Sequence, residues 1–322
     1  MDNCANLSEN DDVLLDGDEN YFVSGSNHAG EIRGLAMSGS NVGVAAHELG
    51  PTGEAELKLY SGGMMKVFVD SGAFSEVEFP GGVPTVKKLI TAAEWTKRLA
   101  LYERLAESLR RQLYVVAPDM VAFQAETLER LRLYAPQLRA IKAHRANIIV
   151  PVQKGALSMA EFAAQAIEIL GFDDVVWGVP MKKDATSLED LEAFASWLNA
   201  RGEESRIHLL GLGTRSKRYA KALETVVAAS PWTTVFSDSV RITAMVGRGV
   251  TRKDGTTSGP RKLTAATDVV KAWGGCSTAS EWKAAALGLV LGQEALEALQ
   301  EARLAGWFDS ELESAPGVPL ED

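Results

Sequence analysis

Short apolar runs recur along the chain, with amphipathic stretches between them. Six stand out: Val67–Asp70, Leu113–Ala117, Ile148–Val152, Val175–Val179, Ile207–Gly211 and Thr234–Ser237. Each is rich in β-branched or aromatic residues, and none alternates apolar with polar. Strands covered on both faces of a parallel sheet read this way. Helical patterns lie between them over Val86–Arg111, Gln124–His144, Ser158–Leu170, Ser187–Arg201 and Ser216–Ala229. SMAE at Ser158–Glu161 and SLED at Ser187–Asp190 look like capping-box starts.

Repeated βα units imply right-handed crossovers. Two further strands are expected, one within Ile32–Ala46 and one after Val240. Eight strands close a (β/α)8 barrel of the α/β class, and 322 residues is a length that suits it. An open doubly wound sheet is the alternative. The expected plan is an acidic, partly flexible segment over residues 1–30, a catalytic barrel over 31–275 and a C-terminal helical extension over 276–322. Within that extension Ser277–Arg303 reads as one long helix or a broken pair.

Composition narrows the class. Hydrophobic residues make up 46% and charged residues 24%, enough for a substantial core. No apolar run reaches the roughly 18 residues of a membrane-spanning helix, and the acidic start does not resemble a signal peptide. Two cysteines, Cys4 and Cys276, cannot build a disulfide framework and fit a reducing cytoplasm. The net charge of −10 argues weakly against a polyanionic partner. Much of that acid sits before Arg33, however, so the total says little about any one face.

A barrel of this kind does its chemistry at the C-terminal strand ends. Reading those ends off the chain collects Asp70-Ser71-Gly72-Ala73-Phe74, then Asp119, Gln153 with Gly155, Gly178, Gly211 with Gly213, and Asp238. A lone aspartate after a strand is commonly a turn former or helix cap. Asp119, after Pro118, fits that description as well as a functional one. Asp70 and Asp238 stand out because each comes at or just after the end of an apolar run and is followed by a serine. Two carboxylates facing one pocket suit glycosyl chemistry, one attacking the anomeric carbon and the other managing a proton. A third carboxylate and an amide offer hydrogen bonds to a flat heterocycle.

These segments together resemble a known family. VDSGAF resembles the Asp-Ser/Thr-Gly-Gly-Phe motif of the tRNA-guanine transglycosylases, VPVQKG their Val-Gln-Gly-Gly segment, LLGLGT their Met-Gly-Val-Gly strand end, and FSDSV the Phe-Asp-Cys-Val element bearing their nucleophile. The order also matches, from about Asp70 to Arg248, a little over half the chain. The nearest branch is the DpdA-like proteins, the deazapurine-in-DNA transglycosylases. The resemblance implies a pentosyltransferase that exchanges guanine in DNA for a 7-deazaguanine such as 7-cyano-7-deazaguanine (preQ0). Asp238 would be the nucleophile and Asp70 the general acid/base. Asp119 and Gln153 would bond the base edge, and Ser71, Gly72, Phe74, Gly155, Gly178, Gly211 and Gly213 would line the base pocket.

The departures shape the expectation. Members acting on tRNA carry zinc on three closely spaced cysteines and a histidine. Here the two cysteines lie 272 positions apart and His28, His47, His144 and His208 are scattered, so neither metal nor cofactor is expected. Lys154 separates Gln153 from Gly155, and RITAMVGR replaces the family's Pro-Thr-Arg stretch after the nucleophile. The DNA branch is therefore the first expectation. A tRNA enzyme without zinc, a catalytically silent nucleic-acid-binding barrel and a small-molecule lyase or isomerase barrel are the alternatives.

A base inside a duplex must be flipped out before a barrel pocket can reach it, and the phosphates then need cations at the rim. Arg241, Arg248, Arg252, Lys253, Arg261 and Lys262 fall in or beside the most basic loop of the chain, just after Asp238. Arg215, Lys217, Arg218 and Lys221 follow Gly213, and Lys182 and Lys183 follow Gly178. The expected partners are DNA, with tRNA as the alternative, and a 7-deazaguanine base, with no membrane. A homodimer is among the states the resemblance allows.

Overall fold

The computed structural model describes residues 20–37, 40–181, 185–202, 204–214 and 216–240, with short strands at Val250–Thr251 and Thr257–Ser258. Eight parallel strands close a barrel: β1 (Tyr21–Ser24), β2 (Asn41–Ala45), β3 (Val67–Asp70), β4 (Leu113–Val116), β5 (Asn147–Pro151), β6 (Val176–Pro180), β7 (Arg206–Leu210) and β8 (Thr234–Ser239). Each pairs with its sequence neighbours, and β1 closes on β8 with Phe22 opposite Asp238. Seven helices intervene: α1 (Ala29–Met37), α2 (Pro51–Leu59), α3 (Ala92–Leu109), α4 (Gln124–Ala143), α5 (Met159–Leu170), α6 (Leu188–Ala200) and α7 (Lys217–Ala229).

The strand and helix patterns reflect two separate cores. Between sheet and helices lies a broad aliphatic layer that includes Val67, Val69, Leu105, Leu131, Ile148, Phe162 and Leu191. Inside the barrel a smaller cluster of Phe22, Phe68, Tyr114, Val116, Ile149, Val176 and Phe236 forms a largely aromatic floor beneath the strand ends. Phe22 packs 5.6 Å from Phe68 and 5.4 Å from Tyr114, centroid to centroid. Burial on both faces removes any need for alternation, which is why the strands read as continuous apolar runs.

Helix starts follow local chemistry. Ser158 caps α5 and Glu161 closes the reciprocal bond, while Ser187 caps α6 by accepting from the Asp190 N–H. The structure departs from the expected boundaries in three places. The eighth strand is β1, inside the stretch read as an acidic segment, rather than a strand after Val240. β8 runs on to Ser239, so Asp238 is a strand residue. α3 begins at Ala92, not Val86, because Thr91 and Glu94 form a full capping box there. The chain before it forms a 3-10 turn, Ala73–Glu76, and a hairpin pairing Val77–Glu78 with Thr85–Val86.

Among the described residues no helix is long and apolar enough to cross a membrane. The basic loop after Val240, apart from its two short strands, and the tail over 276–322 lie outside the described residues.

Candidate active site

Asp238 is the penultimate residue of β8 and only 8% exposed. Its Oδ2 accepts from Ser24 Oγ, at the end of β1, at 3.0 Å. Its Oδ1 accepts from the Gly211 N–H at 2.8 Å and lies 3.0 Å from His208 Nε2. Gly211 follows β7 with φ 69°, a left-handed turn that glycine takes without cost. That turn aims its N–H at the carboxylate. The carboxylate is thus held from β1, from β7 and from the turn after β7.

Asp70 ends β3, and the chain turns sharply after it. The Gly72 N–H returns to Asp70 Oδ2 at 3.2 Å, and Gly72 has φ 74°. A Cβ at Gly72 would sit 2.5 Å from His47 Nδ1, so this turn has no space for a side chain. Burial, and next the negative charge of Asp238, push the Asp70 carboxyl up to about 6. Asp70 and Asp238 therefore share one electrostatic neighbourhood at one rim.

Asp119 is nearly fully buried, three residues beyond β4. Ser71 Oγ donates to its Oδ1 at 3.0 Å and Gln153 Nε2 to its Oδ2 at 2.8 Å. Burial raises Asp119 to about 7; the Ser71 bond pulls the other way and the Asp70 charge adds to the rise. Gln153 is itself fixed, since its Oε1 accepts from the Ala122 N–H at 2.8 Å and its carbonyl from Gln124 Nε2 at 3.0 Å. Asp119 and Gln153 thus bond each other rather than facing a base separately.

The other expected residues divide. Ser71 is buried beside Asp119, whereas Phe74 stands 48% exposed at the rim and stacks on Phe79 at 5.9 Å. Gly155 makes room for a side chain, because a Cβ there would meet Gln124 at 2.5 Å. Gly178 lies within β6, where a Cβ would strike Ile149, and its carbonyl already accepts from the Val152 N–H at 2.8 Å. Both glycines lie close against side chains of neighbouring elements. Gly213 lies against Ser239. Lys217 is exposed in the first turn of α7, and Arg218 is tied to the Thr186 carbonyl at 2.9 Å. Lys182, Lys183, Arg215, Arg241, Arg248, Arg252, Lys253, Arg261 and Lys262 lie outside the described residues. Trp177 is core, edge-on to Phe194 at 5.9 Å, and Trp232 enters β8 at the opposite end of the barrel from Asp238.

A supporting shell carries charges that the strand ends alone do not announce. Arg98 donates to the Ser71 carbonyl, and its positive charge works against the rise at Asp70. Arg130 donates to the Asp119 carbonyl and pairs with the fully buried Glu76 at 2.5 and 2.8 Å. Trp95 has both guanidiniums against its ring, at 5.2 and 5.5 Å. Tyr102 buries its hydroxyl with no hydrogen-bond partner among the described residues. Burial and the charges of Asp70 and Asp119 hold its proton well above the usual phenol range. Among the described residues no group of three or more His, Cys, Asp or Glu is placed to hold a metal.

No family model and no curated protein matches the chain. Solved structures similar in fold include QR15, an aldolase (TM-score 0.42, 15% identity, covering 70% of this chain and 92% of its own). D-psicose 3-epimerase from Clostridium cellulolyticum H10, with D-tagatose, gives 0.40 at 12% identity over 86% and 99%. An L-ribulose 3-epimerase gives 0.43 at 14% identity over 92% and 97%.

Proposed function

We propose that the chain is a DNA-guanine transglycosylase that exchanges guanine for a 7-deazaguanine base. The observation that supports this reading is the pairing of unlike carboxylates. Asp238 is tied by three donors, while Asp70 beside it holds a proton up to about pH 6. That division of roles suits glycosyl transfer. Asp238 attacks C1′ of the target nucleotide as the C1′–N9 bond breaks, forming an aspartyl–sugar ester with inverted configuration. Asp70 gives its proton to the departing guanine. The incoming 7-deazaguanine then loses its N9 proton to Asp70, and N9 displaces Asp238 from C1′. The second inversion restores the original configuration, and both carboxyls regain their starting states.

Asp119, oriented by Ser71 and Gln153, is the group suited to the Watson–Crick edge of the base. Its carboxyl accepts from the base when ionised, and its value of about 7 keeps both forms accessible near neutrality.

Incorporation of radiolabelled guanine into duplex DNA and into tRNA tests the proposal, with Asp238→Asn alongside. DNA labelling that Asp238→Asn abolishes is the expected result. Labelling of tRNA alone selects the alternative substrate. Salt-dependent DNA binding without labelling selects a silent barrel, and full activity in Asp238→Asn refutes the mechanism.

A further inference from the structure

His208 lies at the middle of β7, with Gly178 of β6 on one side and Phe236 of β8 on the other. It is fully buried, in a barrel interior whose clustered members are apolar or aromatic. Its ring stacks on Phe68 at 4.8 Å and on Phe22 at 5.6 Å, the latter within 10° of parallel. A histidine in such a place is ordinarily a core residue satisfied by one hydrogen bond. The destination of that bond makes the difference here, because Nε2 meets Asp238 Oδ1 at 3.0 Å. Nδ1 has no hydrogen-bond partner among the described residues. A buried N–H without an acceptor is costly. The favoured tautomer therefore carries its proton on Nε2 and leaves the Nδ1 lone pair among the rings.

The donors on Asp238 are distributed unevenly. Among the described residues Oδ1 receives two, from Gly211 and His208, and Oδ2 receives one, from Ser24. A carboxylate oxygen has two in-plane acceptor positions. Oδ1 is filled, and among the described residues Oδ2 keeps one lone pair. Phe22 and Phe68 stop the imidazole from swinging, so the carboxylate cannot rotate to exchange its oxygens without breaking a buried bond.

We infer that His208 is the positioning residue of Asp238, an Nε2–H donor clamped by Phe22 and Phe68 that leaves Oδ2 as the attacking oxygen. This deepens the proposed base exchange and rests on it for its kinetic consequence. The geometry of the pair is testable apart from any activity.

Two measurements on the full chain test it. In imidazole nitrogen NMR of the four histidines, one ring is expected to show a proton on Nε2 and none on Nδ1, with its Nε2 resonance displaced in Asp238→Asn. A proton on Nδ1 instead, or a resonance indifferent to Asp238→Asn, overturns the inference. In the exchange assay, His208→Leu is expected to slow formation of the covalent aspartyl–sugar adduct by about 100-fold, the scale of a misplaced reacting group, with KM for DNA unchanged. His208→Gln places an amide N–H near the former Nε2 and is expected to recover most of that loss. Equal rates in His208→Leu and the unsubstituted protein overturn it, as does equal loss in Leu and Gln variants of matched thermal stability. If the unsubstituted protein exchanges no base in any nucleic acid, the base-exchange reading fails. The NMR result then still decides the pairing.

Discussion

Replacing Asp70 by asparagine removes a carboxyl that the fold holds against its preference for ionising, and the stability change follows from that. Asp70 is raised from an ordinary 3.8 to about 6, first by burial and then by the charge of Asp238. Between those values the native chain holds a proton that the unfolded chain has released, so stability falls as pH rises across the window. At about 1.4 kcal/mol per tenfold change in proton affinity, the full penalty is about 3 kcal/mol, reached near pH 7. The asparagine side chain is never charged, and its amide oxygen can still accept the Gly72 N–H. Asp70→Asn is therefore expected to match the unsubstituted chain to within about 1 kcal/mol at pH 4, and to exceed it by about 3 kcal/mol at pH 7 and above. Urea unfolding from pH 4 to pH 8 measures this directly. An advantage that stays flat with pH, or shrinks above pH 6, refutes the electrostatic account. The same variant is expected to lose about 10²- to 10⁴-fold in exchange rate, the usual contribution of a general acid.

Other perturbations probe the supporting structure. In the unsubstituted protein, kcat/KM for guanine release is expected to fall above about pH 6 as Asp70 loses its proton; a rate rising through that range in stopped assays excludes Asp70 as the acid. Glu76→Gln leaves the Arg130 guanidinium without its buried counter-charge, and a loss of about 3 kcal/mol or more in denaturant titrations is expected. Gly72→Ala forces a left-handed φ on a residue with a Cβ and meets His47; a cost of about 1 to 3 kcal/mol, with a larger fall in rate than in melting temperature, is the expected signature. Ser158→Ala removes the α5 cap, and a cost of about 1 kcal/mol by thermal melting is expected.

The barrel is legible in the sequence because strands such as Leu113–Val116 and Asn147–Pro151 are buried on both faces and stand out as apolar runs between amphipathic helices. β1 and β2 are harder to see for physical reasons. Tyr21–Ser24 is four residues long and directly follows acidic sequence, and Asn41–Ala45 carries a glycine at its centre. The start of α3 is written in the chain, although the helical pattern alone places it too early. Thr91-Ala92-Ala93-Glu94 has the Thr-x-x-Glu spacing of a capping box, ahead of Trp95. Ser24 carries a signal too, since YFVSGS repeats the form of VFVDSG, an apolar strand ending on a polar residue and a small pair. Glu76, Arg98 and Arg130 carry none. They lie on a 3-10 turn and two separate helices, and only the closed barrel brings them behind Asp70 and Asp119.

Position along the chain selects Asp70, Asp119 and Asp238 as strand-end carboxylates, but it cannot divide labour among three residues of one type. Their neighbours do that. Asp238 stands within β8, registered against Phe22 and supplied with donors from β1, β7 and the turn after β7. Asp70 is bonded from the turn that it begins, and Asp238 opposes its ionisation. Asp119 is bonded by an amide and a hydroxyl that are themselves buried. The first arrangement favours a fixed attacking oxygen and the second a mobile proton. The third favours a group that can accept or donate to a flat ring. In the proposed exchange those are the nucleophile, the acid/base and the base-reading residue. His208 is the residue on which the distinction turns, because it adds to Asp238 a donor from beneath the rim that neither Asp70 nor Asp119 receives.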